Sequence, residues 1–167
     1  MKLYRKTEID TLEPMPGDQM QVGKYTATCM KVSEEGSLWL MDQYDDKPMR
    51  RNGLIEYLNS EEGLAFFPED IRSAIHLGSV RVPYAGEIFE KDEIDFLEDD
   101  DCEQWPCMKE RRNRIAFRDN DFEWGWLMNK SKRYASAGDF GGVNGNGLAG
   151  SDAASLSGGV RRAFLIE

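Results

Sequence analysis

Trp124-Gly125-Trp126-Leu127-Met128-Asn129-Lys130-Ser131-Lys132-Arg133-Tyr134, then Ala135 to Gly159 written almost only in Gly, Ala, Ser, Asn and Asp, then Val160-Arg161-Arg162-Ala163-Phe164-Leu165-Ile166-Glu167: this stretch decides how the chain reads. A tract of small polar residues alone lacks the apolar area that offsets the entropy of ordering. Here anchors bracket it. Phe117, Phe122, Trp124, Trp126 and Leu127 precede it, and each aromatic among them buries a large area. Val160, Phe164 and Ile166 follow it with one parity, and Arg161, Ala163 and Leu165 share the other, so the segment closes as a strand. The middle is therefore expected to be ordered, polar and rich in loops, with Val143-Asn144-Gly145-Asn146-Gly147-Leu148 turning a hairpin through its Asn-Gly pairs. A long connection in an irregular domain is the plainer reading of the same composition.

Working outward, Tyr25, Ala27 and Cys29 alternate with Val22, Thr26, Thr28, Met30 and Val32. Glu34-Glu35-Gly36 marks a turn, and Leu38 to Met41 returns, which predicts a hairpin. A short strand is expected near Lys2 to Lys6. Leu54, Ile55, Tyr57 and Leu58 fit a short helix ending near Asn59, and a second starts at Pro68, with Glu69 and Asp70 favourable to its dipole and Ile71, Ala74 and Ile75 inward. Val80, Val82, Ile88 and Phe89 suggest strand segments, and Lys91 to Leu97 a helix presenting Ile94, Phe96 and Leu97. The expected class is α+β, with short antiparallel sheets, two or three short helices and long ordered loops.

Trp-x-Trp-Leu at 124–127, Tyr134-Ala135-Ser136, the 143–147 hairpin and the closing Gly-Val-Arg-Arg-Ala-Phe-Leu-Ile resemble the C-type-lectin-like variable proteins of diversity-generating retroelements, bacterial and phage domains that end in Gly-Val-Arg-Pro-Ala-Phe. The likeness covers Trp124 to Glu167, and the first 115 residues match in general layout only. Arg162 stands where many relatives have Pro, and Met128-Asn129 where many have Arg-Ser. The resemblance implies one C-type-lectin-like domain over residues 1–167, with 124–167 as a variable, ligand-binding segment rewritten at adenine-rich codons. The ligand face it implies is drawn from Trp124, Trp126, Ser131, Arg133, Tyr134, Asp139, Phe140, Asn144, Asn146, Leu148, Ser151, Asp152, Ser155 and Leu156. Such a paratope takes rigid contact area from Tyr and Trp, and adaptable hydrogen bonds from Ser, Gly and Asn. Adenine substitution in Asn codons does not produce Trp, Met or Lys, so Trp124, Trp126, Met128, Lys130 and Lys132 are fixed or differently templated. For Trp126, a core role competes with a role on the face.

Composition bounds the alternatives. The 167 residues are 40% hydrophobic and 11% aromatic, enough for a folded core without staples. No apolar run approaches a membrane span, and charges in Met1 to Asp10 do not fit a signal peptide. The net charge of −10 is uneven: residues 1–101 hold 11 basic and 23 acidic residues, residues 102–167 hold 10 and 8. An acidic body is a poor match to nucleic acid, whose affinity rests on phosphate neutralisation, and its plainest role is solubility.

The chemistry-bearing residues are sparse. Cys29 fits a buried thiol, while Cys102 and Cys107 flank Trp105-Pro106 at a spacing open to a small disulfide loop or to two free thiols, and too sparse for zinc. Glu98-Asp99-Asp100-Asp101 reads as a solvated loop in preference to calcium, because consecutive acids fan outward. The Glu-Pro-Asn and Gln-Pro-Asp triplets of calcium-dependent lectins are absent, so no metal or cofactor is expected. Lys109 to Arg118 carries five basic residues, read as answering the acidic body in preference to binding phosphate. His76 stands alone, no nucleophile or phosphate-loop motif occurs, and the cysteines do not match the related formylglycine-generating enzymes. A non-catalytic, monomeric binding protein is the expectation, its partner a protein or cell-surface ligand, with display on a virion or cell surface through a partner. The competing reading is an assembly module of a viral tail or cell surface, in which the polar segment packs on a neighbouring subunit.

Overall fold

A computed structural model describes residues 3–4, 13–118, 121–122, 124–132 and 138–167. The chain is mixed α+β. Its strands are β1 (Leu3–Tyr4), β2 (Gln19–Val22), β3 (Tyr25–Ser33), β4 (Gly36–Met41), β5 (Met49–Arg50) and β6 (Phe117–Arg118). There follow β7 (Asp121–Phe122), β8 (Gly125–Lys130), β9 (Asp139–Val143), β10 (Ala149–Ala153), β11 (Ser157–Gly158) and β12 (Ala163–Ile166). The helices α1 (Leu54–Leu58), α2 (Glu61–Leu64), α3 (Glu69–Arg72) and α4 (Ala85–Ile88) are each about one turn long. Two compact units arise: Met1–Gln43, Ile55–Arg81 and Arg162–Glu167 form one, Tyr44–Leu54 and Val82–Arg161 the other.

The first unit is built on an antiparallel sheet ordered β1-β2-β3-β4-β12. The closing strand read from parity is present: Phe164 lies opposite Trp39 and Ile166 opposite Ser37. Phe164 and Trp39 are fully buried, and the Phe164 ring meets Phe67 edge-on at 4.8 Å. The turn at Gly36 needs glycine twice over. Its φ is +132°, and a Cβ there would lie 2.1 Å from the Ile166 carbonyl oxygen. Strict alternation in β3 fails at a register shift between Cys29 and Lys31, so Cys29 and Met30 are both buried while Val32 is exposed. Arg162 is 2% exposed. Its guanidinium lies 4.1 Å from the Phe66 ring centroid and donates to the Gly63 carbonyl at 2.8 Å, which offsets the cost of burying a charge. Ile71 is buried under α3, but that helix ends at Arg72, leaving Ala74 and Ile75 half-buried.

The second unit holds the antiparallel sheet β10-β9-β8 and the pairs β11-β5 and β6-β7. Three sequence expectations change here. In place of the strand expected through Ile88 and Phe89, Ile88 ends the helix α4 and Phe89 caps it in an extended conformation. The first N–H groups of α4 are captured by side chains: Ala85 donates to Asn129 Oδ1 at 2.9 Å and Gly86 to Asp100 Oδ2 at 2.9 Å. The helix expected over Lys91 to Leu97 is only a 3-10 turn at Lys91–Glu93, although Ile94 and Leu97 are buried as expected. The acidic run does not all fan outward, because Asp100 also accepts from Cys102 N at 3.0 Å and Asn129 Nδ2 at 2.7 Å, with Lys91 Nζ at 3.5 Å. Burial alone would raise its pKa. The bonds from Asn129, Gly86 and Cys102 and the Lys91 charge outweigh it and hold the carboxyl below the usual aspartate range.

Cys102 and Cys107 are free thiols, Cys107 exposed. Of the basic run, Arg114 is buried: it donates to Met108 O at 2.8 Å and to Glu93 Oε1 at 2.9 Å, and lies 4.9 Å from the Phe89 ring centroid. No helix among the described residues is long and apolar enough to cross a membrane.

Candidate functional site

The site begins with a hairpin. β9 and β10 pair from Val143 opposite Ala149 to Asp139 opposite Ala153. Asn144 closes their turn: its Oδ1 accepts from Asn146 N at 2.9 Å and Leu148 N at 3.1 Å, while its backbone N–H donates to Leu148 O at 2.9 Å. Gly147 completes it in the left-handed region at φ +74°, where a Cβ would also strike Arg111 Cγ at 2.5 Å. Polar Asx chemistry thus orders the small-residue tract without an apolar core of its own.

A gap then follows from register. Gly142 on β9 lies opposite Gly150 on β10, so two successive strands carry no side chain at that point of the sheet face. Asp152 and Phe140 form the next pair on the same face. The result is an open hollow of about 560 Å³, whose floor is Gly142, Gly150 and Gly158 and whose walls are Trp124, Asn144 and Asp152, with Pro48, Gly145, Ser151 and Ser157 at its edge. That volume lies within the range of small-ligand sites.

The Trp124 wall is held by its neighbours. A Cβ on Gly142 would approach its Cε3 at 3.1 Å, and one on Gly158 its Cη2 at 2.7 Å, so the indole sits directly on the two glycines. Its backbone carbonyl accepts from Gly159 N at 2.9 Å, and its ring meets that of Trp126 at 4.5 Å and 79°. Trp126 is in turn buried and donates Nε1–H to the Met49 carbonyl at 2.8 Å. Among the described residues the hollow contains one ionisable side chain, Asp152, whose Oδ1 accepts from Ala153 N at 2.9 Å. It forms no ion pair with a described residue. Beyond it on the sheet, Arg51 lies 4.1 Å from the Phe140 ring centroid and donates to the Leu127 and Met128 carbonyls, and burial lowers its pKa.

The fourteen residues expected on the ligand face divide accordingly. Trp124, Asn144, Ser151 and Asp152 converge on the hollow. Asn146, Leu148, Ser155 and Leu156 are exposed on turns outside its lining. Asp139 and Phe140 are half-buried, Phe140 being occupied by Arg51. Two residues need correction. Trp126 is core, since its ring supports Trp124 and its N–H is spent on Met49; Ser131 is 1% exposed, because β8 carries it into the interior, where its N–H donates to Asp139 O. Neither can meet a ligand from outside. Arg133 and Tyr134 lie outside the described residues. Sequence reasoning missed the glycine floor and Pro48. Gly141-Gly142 and Gly158-Gly159 were visible as doublets, but only strand register puts Gly142 opposite Gly150.

Among the described residues no three His, Cys, Asp or Glu side chains group as a metal set. Compared with known proteins, the chain matches no family model, no curated protein and no solved structure.

Proposed function

We propose that this is a ligand-binding, receptor-like protein without catalytic chemistry, presenting the β8-β9-β10 face on a C-type-lectin-like scaffold. The observation that carries the reading is the hollow, where the Trp124 ring, the glycines of the floor and the polar residues Asn144 and Asp152 line one open space beside the β10-β9-β8 sheet. Rigid aromatic area beside short adaptable polar groups is the composition of a paratope. Loops held by a scaffold are where binding residues concentrate. Diversification of this face rests on the resemblance of the 124–167 segment, and a near-copy of its coding sequence, differing only at adenines beside a reverse transcriptase gene, is the expected genomic companion.

The direct test uses Gly150, where an added Cβ meets nothing within 4 Å, so Gly150→Leu fills the hollow without straining the fold. Random peptides displayed on phage and selected on the wild-type protein should include binders that lose the Gly150→Leu variant. If every selected binder tolerates the leucine, the hollow is not a binding site. The assembly reading draws on Leu148 and Leu156, 40% and 48% exposed, which a neighbouring subunit would cover. A concentration-independent oligomer in sedimentation velocity, dissociated by Leu148→Ser with Leu156→Ser, would favour it.

A further inference from the structure

We propose that the hollow takes an arginine side chain of a partner polypeptide, its guanidinium held between the Trp124 indole and the Asp152 carboxylate. The inference rests on the reading of the hollow as a binding site and adds the chemistry of the occupant. Charge is the first argument. Among the described residues of the lining Asp152 is the one that ionises, no described Lys, Arg or His accompanies it there, and it pairs with no described cation. Other carboxylates of the same unit are answered internally, Glu93 by Arg114 at 2.9 Å and Asp100 by Lys91 at 3.5 Å. A half-buried carboxylate that forms no ion pair with a described residue thus faces a concave site, placed to meet an incoming cation, while Arg51 and Lys130 are held on the neighbouring Phe140 ring at 4.1 and 5.9 Å.

Aromatic surface is the second argument. An indole is the best ring for a cation, and guanidinium the cation that most often takes the place, because it is planar and weakly hydrated. The sheet already displays this contact one cross-strand pair away: Asp152 lies opposite Phe140, whose ring carries the Arg51 guanidinium at 4.1 Å. Space is the third. Gly150 leaves its side-chain position open, with nothing within 4 Å of an added Cβ, and about 560 Å³ exceeds one side chain, leaving room for flanking backbone beside Asn144.

The test titrates the ¹⁵N-labelled protein separately with N-acetyl-arginine amide, its neutral isostere N-acetyl-citrulline amide, and methyl glucoside, following the Trp124 indole N–H and the Gly150 and Ser151 amides. Arginine should shift these signals and bind at least about fivefold tighter than citrulline, the scale of one partly screened charge pair. Added salt should narrow the difference. Asp152→Asn keeps the oxygen that accepts from Ala153 and should bring the two ligands within about twofold. Equal binding of arginine and citrulline to the wild-type protein, or shifts with the glucoside and none with arginine, would overturn the arginine assignment while leaving the hollow a site for neutral ligands. Absence of any shift with arginine overturns it too, and the Gly150→Leu selection then decides independently whether the hollow binds anything.

Discussion

Gly158→Ala should dislodge Trp124 and so remove the wall of the hollow. The added methyl would stand 2.7 Å from Trp124 Cη2, 2.9 Å from Trp124 Cζ3 and 2.9 Å from Trp126 Nε1, all inside van der Waals contact. No left-handed φ is involved at Gly158, so the effect is one of space and not of backbone strain. Of the two indoles, Trp126 is buried and bonded to Met49 O, whereas Trp124 is half-buried, so Trp124 gives way. Forcing an extra methyl into such a contact costs about 1–3 kcal/mol. For a chain of 167 residues, with each kcal/mol lowering the melting temperature by about 2–4 °C, the loss is roughly 2–12 °C. The assay is thermal unfolding followed by circular dichroism in the tryptophan band, which also reports the coupling of the edge-to-face indole pair. Gly150→Ala is the control, since its methyl meets nothing within 4 Å. A Gly158→Ala protein that melts with the wild type and keeps its tryptophan spectrum would refute the packing of Trp124 on the glycine floor.

Two further outcomes are expected. Asp100 has its folded-state pKa depressed, so the stability it contributes is present in full above its unfolded value of about 4 and is lost as pH falls through the lower folded value. Asp100→Asn, which sets an amide against the donors Gly86 N, Asn129 Nδ2 or Cys102 N, should cost about 1–3 kcal/mol at neutral pH in urea titration, and the gap to the wild type should shrink below about pH 4; a gap independent of pH would contradict the network. Phe164→Ala removes a fully buried ring that touches Phe67 and pairs across the sheet with Trp39, and should cost about 3–5 kcal/mol; an unchanged denaturation midpoint would mean that β12 does not close this core.

How much was legible follows the range of the interactions. The Tyr25 to Met41 hairpin, the Asn144 to Leu148 turn and the parity of Phe164 and Ile166 depend on alternation and Asn-Gly chemistry within a few residues, and they stand where expected. Helix ends and the 84–97 segment differ from the sequence reading because their backbone groups are satisfied by remote side chains: Asn129 and Asp100 accept from the first N–H groups of Ala85–Ile88, a helix that its Gly86 and Ile88 do not signal. Asp100 looked like one acid in a solvated run for the same reason.

Read alone, the sequence pointed to an α+β chain with a strand at Phe164 and Ile166 and named fourteen candidates for a binding face, Trp124, Asn144, Ser151 and Asp152 among them. Tertiary structure alone decided which of the fourteen candidates meet. Only the pairing of β9 with β10 sets Gly142 against Gly150 and opens the hollow, and only the tertiary packing around β8 buries Trp126 and the following Ser131 while leaving Trp124 at its wall. The physical reason is that a side chain's type can be read from its own position, but the space around it belongs to residues brought there by register.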